Sequence, residues 1–90
     1  MKEACDESMT GNGSDYRGCQ TITRNNYRCQ WWSAQIPHKH GMLKLLKKLD
    51  PNDYAGQYCR NPDNSKTIWC YTDKKERRWD YCDPRPTGGL

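Results

Sequence analysis

Phenylalanine is absent from this 90-residue chain, and only 33% of its residues are hydrophobic. A chain so short buries about 60% of the surface its unfolded form exposes, so an apolar core alone leaves it marginal. An apolar run of about 18 residues, the length a membrane-spanning helix needs, occurs nowhere. The opening "MKEACDESM" has no apolar stretch of the kind a secretory leader carries. Any targeting segment is therefore expected to lie outside this chain, and Met1 and the trailing "TGGL" read as the ends of a piece cut from a longer protein. Acidic excess is lacking too. The net charge is +4, mild for a nucleic-acid binder and better suited to acidic proteins or sulfated glycans.

Cysteine is what the chain has in quantity: Cys5, Cys19, Cys29, Cys59, Cys70 and Cys82. An even count in a short polar sequence reads as a disulfide framework and an oxidising compartment. The zinc reading is weaker. Structural zinc sites use closely spaced cysteine pairs, and here no two cysteines stand closer than Cys19 and Cys29, with His38 and His40 remote from all of them in sequence. No metal or other cofactor is expected.

Turn signals divide the chain into short pieces. "GNGSDYRG" (11–18) is a glycine-rich turn, and Asn12-Gly13 is a tight-turn pair. Asn12-Gly13-Ser14 is also an N-glycosylation acceptor pattern. "CQTITRNNYRCQWW" (19–32) predicts a short hairpin turning at Asn25-Asn26, and "SAQIPHKH" (33–40) a loop. "GMLKLLKKLD" (41–50) is the one helical pattern: Leu43, Leu46 and Leu49 share a spacing, Lys44, Lys47 and Lys48 face elsewhere, and Pro51 ends it. Near the end, Trp79 and Tyr81 fall on one face of a strand, with Arg78 and Asp80 on the other. The expected class is small and disulfide-rich, mostly irregular, with a few short antiparallel β-strands.

Taken in order, "GNGSDYRG", "CQWW", "PHKH", "YCRNPD", "WCYT" and "RWDYC" resemble the kringle family of the plasminogen, hepatocyte-growth-factor and prothrombin type. The resemblance covers residues 8–87, leaving tails at 1–7, which carries Cys5, and at 88–90. It implies bridges Cys29–Cys70 and Cys59–Cys82. The sequence departs from the family at both ends. The usual first cysteine is replaced by Ser8 and the usual last one by Thr87, while Cys5 and Cys19 are additional. The expectation is that these two pair and replace the missing staple; pairing with a neighbouring domain is the alternative.

Many kringles hold lysine side chains, which takes an anion for the ammonium, an aromatic trough for the methylenes and a cation for a carboxylate. The resemblance implies Asp63 as anion, Trp69 and Trp79 as trough flanked by Tyr71 and Tyr81, and Arg78 as cation. The same aromatic residues could equally be core. Lysine-binding kringles carry a second aspartate where "NPDNS" has Ser65. The expectation is therefore a degraded groove that binds free lysine weakly or not at all.

The function expected is a secreted or extracellular, non-catalytic recognition module within a larger multidomain protein. Its partner would be an extracellular protein presenting lysine or arginine. The alternative is a sulfated glycan such as heparin, held by Lys44, Lys47, Lys48, Lys74, Lys75 and Arg77. Ser8, Ser14, Ser33 and Ser65 lack the context of a nucleophile, and neither nucleic acid nor a membrane span is implied.

Overall fold

The computed structural model describes residues 5–49 and 56–83. Within them, regular structure is sparse: a helix α1 (Leu43–Leu49) and two strands, β1 (Trp69–Tyr71) and β2 (Trp79–Tyr81). The strands pair antiparallel, with Trp69 opposite Tyr81 and Tyr71 opposite Trp79. Isolated bridges extend this ribbon on both sides, Arg60 to Trp69 and Cys29 to Thr72. A further bridge, Ile22 to Arg28, closes the small hairpin expected around Asn25-Asn26. Its turn is held by the Thr23 and Asn26 N–H groups, which donate to the carbonyls of Tyr27 and Thr23. Asn26 adopts the left-handed conformation, which asparagine tolerates better than most residues.

The interior is built from rings and sulfur. Disulfides join Cys29 to Cys70 and Cys59 to Cys82. All four sulfurs lie within 4.8 Å of one another, and all four residues are fully buried. A four-cysteine cluster of that size would suit a metal, but each sulfur is spent in a disulfide and offers no thiolate. Trp32 packs edge-on against Trp69 and Tyr71, with centroids 5.2 and 5.7 Å away. Its indole N–H donates to the Tyr58 carbonyl, satisfying the one polar group a buried tryptophan brings. Ile68, Tyr16 and Leu46 complete the core.

A third bridge, Cys5–Cys19, ties down the N-terminal segment. Glu7 works beside it: its carboxylate accepts from the Tyr16 hydroxyl and from the Cys19 N–H. Gly13 is required at its turn, where φ is +83° and a Cβ would stand 2.8 Å from Ile68 and 2.9 Å from Met9. Helix α1 is too short to be stable alone. It is held through Leu46, which is buried, and Leu43, which packs partly against the core, while Lys44, Lys47 and Lys48 face outward. Lys47 and Lys48 in its last turn complement the helix dipole. The expected contribution of the Leu49 side chain, and Pro51, lie outside the described residues.

Candidate functional site

The turn 61–65 is positioned by a buried amide. Asn61 donates to the Asn12 and Ser65 carbonyls and accepts from the Ser65 N–H. Asn12 in turn donates to the Asn64 side chain and accepts from the Ser14 N–H. The glycine-rich turn therefore clamps the turn that carries Asp63. The same contact draws in the amide nitrogen of the Asn12 sequon, which is bonded to Asn64.

Asp63 Oδ1 accepts from the Ser65 hydroxyl at 2.6 Å and from the Trp69 indole N–H at 3.1 Å. Among the described residues no hydrogen bond goes to Oδ2. In front of this carboxylate lies a groove of about 320 Å³ lined by Met42, Asp63, Ser65, Trp69, Tyr71, Arg78, Trp79 and Tyr81. All six residues assigned to the groove from the sequence thus line one hollow. Neither Lys66 nor Arg77 fills it.

The two tryptophans expected as the trough are unequally exposed. Trp69 is only 5% exposed and belongs to the ring cluster of Trp32, Tyr71 and Trp79. It offers the groove an edge, and its N–H is already given to Asp63. Trp79 is 43% exposed and supplies the open aromatic surface, with Tyr81 edge-on at 5.0 Å. Tyr71 is buried, stacked on His40 at 4.6 Å. Burial raises its phenol above the usual value and nearby Asp63 adds to this, while the charge and hydrogen bond of Arg78 oppose both.

Arg78, expected on the same face as Asp80, instead precedes β2 in a turn and reaches the groove. Its guanidinium lies 5.2 Å from the Tyr71 centroid and donates to the Lys39 carbonyl. Asp80 occupies the buried face. Burial pushes its carboxyl upward, but hydrogen bonds with Thr23, Arg77 and Asn25 pull harder, and the net direction is down. Arg77 is drawn back onto Asp80 at 2.9 Å and over Tyr27, so it leaves the expected basic patch with its charge matched.

Met42 was not anticipated as a groove residue. Its position just before α1, beside the "PHKH" loop, was the only available signal. The histidines of that loop are structural. His38 Nε2 meets the Lys74 carbonyl. His40 Nδ1 accepts from the Met42 N–H, which leaves Nε2–H for the Ala34 carbonyl.

The sequence matches the kringle-domain family model over residues 8–86. The chain is a kringle domain. It is 39% identical to goat (Capra hircus) plasminogen over 82 residues, a span covering 91% of this chain and 65% of that protein. It is 42% identical over 80 residues to cysteine repeat modular protein A of Toxoplasma gondii, covering 89% of this chain and 2% of that protein. The chain thus spans just under two thirds of the first relative and a small fraction of the second. Kringles are extracellular, non-catalytic modules that mediate protein interactions, and no described helix of this kringle is long and apolar enough to cross a membrane. Ser8, expected at the position of the family's first cysteine, is hydrogen-bonded to Asp6, while Thr87 lies outside the described residues.

Proposed function

We propose that this kringle recognises a lysine or arginine side chain displayed on an extracellular protein, and that it holds free lysine analogues only weakly. The observation that carries this reading is the charge inventory of the groove. Its lining contains one carboxylate, Asp63, and one guanidinium, Arg78, and one oxygen of that carboxylate already accepts two hydrogen bonds. A single exposed indole, Trp79, can cover the methylenes of a bound side chain and adds roughly 0.5–1 kcal/mol of cation–π attraction. A charge-assisted hydrogen bond contributes about 1.5–3 kcal/mol, against about 1 for a neutral one. Serine in place of a second aspartate therefore lowers affinity by about tenfold or more. A displayed side chain recovers that loss only through further contacts around the groove.

Titration with 6-aminohexanoate, followed by calorimetry or NMR, tests both halves. Weak binding that the Asp63→Asn variant abolishes is the expected result. Micromolar binding would show that the groove is not degraded. Weak binding untouched by Asp63→Asn would place the ligand elsewhere.

A sulfated glycan is the second reading. Lys44, Lys47, Lys48, Lys74 and Lys75 are all exposed, and Arg78 fastens the 74–78 turn to the loop leading into α1. Retention on a heparin column well above physiological salt supports it, and elution below that salt removes it.

A further inference from the structure

A second hollow, also about 320 Å³, shares no lining residue with the first; its walls include Arg28, Trp31, Ala34, Ile36, Gln57 and Asp73. It carries the two most exposed large apolar residues described, Ile36 at 81% and Trp31 at 55%. Trp31 is the neighbour in sequence of the buried Trp32. It is seated on a turn closed by the Ala34 N–H to the Trp31 carbonyl, and its ring lies over Gly56. Two opposite charges flank it. The Asp73 N–H donates to the Arg28 carbonyl, next to the Cys29–Thr72 bridge, so the two residues face each other across an antiparallel ladder. Opposite charges so placed start about 5 Å apart, within reach of one another. Among the described residues no ion pair joins them and no side-chain hydrogen bond holds either one.

From this we infer a second recognition site, independent of the Asp63 groove, for an extended peptide segment of a partner protein. The segment carries a basic and an acidic residue two positions apart. Residues at that spacing fall on the same side of a strand, about 6–7 Å apart. That separation lets the basic side chain meet Asp73 while the acidic one meets Arg28. The methylenes of the basic side chain lie against Trp31, and Ile36 takes the apolar residues beyond. Tryptophan and arginine are also the side chains most enriched at the energetic centres of protein interfaces.

The test is an NMR titration of the oxidised chain with acetyl-Lys-Ala-Glu-amide, reading the Trp31 indole N–H and the amides of Arg28 and Asp73. A saturable shift at these signals is expected. Asp73→Asn and Arg28→Gln, both exposed and with no side-chain bond to lose among the described residues, should each weaken it about fivefold or more, and Asp63→Asn should leave it unchanged. Shifts confined to Trp69 and Trp79, or no saturable shift, would overturn the proposal. So would equal affinity for acetyl-Lys-Ala-Gln-amide, since Arg28 would then read nothing.

Discussion

At Ser65 a hydroxyl stands 2.6 Å from Asp63 Oδ1, where a second carboxylate would double the negative charge facing an incoming ammonium. Ser65→Asp should raise affinity for 6-aminohexanoate by about tenfold or more, since one charge-assisted bond replaces a neutral one. Calorimetry on the two proteins decides it, and an unchanged constant would mean that Asp63 alone sets the groove's strength. His40 makes a separate prediction about acid. Burial against Tyr71 and Trp32, with Arg78 near, holds its pKa below 6.5, the hydrogen bonds of its ring only partly opposing this. At higher pH it is neutral in both the folded and unfolded chains. As pH falls through 6.5 the unfolded chain takes the proton first, so stability is lost from there down to the lower folded pKa. Asp80, whose pKa is depressed, adds a separate loss below 3.8. Urea midpoints measured between pH 7.5 and 5 should fall for the native sequence and stay flatter for His40→Gln. At this scale Asp63, Trp79 and Arg78 were legible because local motifs carry them. Met42 and the buried state of Trp69 were not, because they depend on which loops meet in space.

Elements here are short, and each leans on one or two buried groups. Turn 61–65 depends on Asn61, whose amide makes three hydrogen bonds to backbone. Asn61→Ala leaves those groups to find other partners, at a cost of about 1–3 kcal/mol, and should loosen the Asp63 turn enough to reduce ligand binding as well. Aspartate at the same position keeps the acceptor but turns a buried carboxylate oxygen onto the two carbonyls, so it should cost at least as much. Helix α1 depends on Leu46. Leu46→Ala should cost about 2–3 kcal/mol, whereas Leu45→Ala, at a side chain 37% exposed, should cost well under 1; chemical denaturation of the two variants gives the comparison. Sequence periodicity found α1 and the 22–28 hairpin because their signals are local. The ribbon of β1 and β2 was visible only at its second strand. "WCY" has no alternation to read, since Trp69, Cys70 and Tyr71 are all buried, and the bridges to Arg60 and Thr72 join residues whose partners no local pattern reveals.

For the molecule as a whole, the three disulfides are unequally protected. Cys29, Cys59, Cys70 and Cys82 have almost no accessible surface, and their sulfurs sit behind Trp32, Ile68 and Trp69 in one cluster. Cys5 is exposed and Cys19 only partly covered, so a thiolate reductant reaches that bridge without unfolding the rest. Opening it frees a loop of 14-residue separation, worth roughly 3 kcal/mol in the chain-entropy model. It also removes the restraint that keeps Glu7 on Tyr16 and Cys19. The ring cluster and the Asp63 groove depend on the two inner bridges instead. Brief exposure to a dilute dithiol, followed by alkylation and peptide mapping, should therefore label Cys5 and Cys19 first. Near-ultraviolet circular dichroism of that species should keep the signal of the packed tryptophans, and its denaturant midpoint should be lower. If all six cysteines were labelled together, the N-terminal bridge would be part of the same cooperative unit as the core, and Cys5–Cys19 would be as essential to the fold as the two buried crossings.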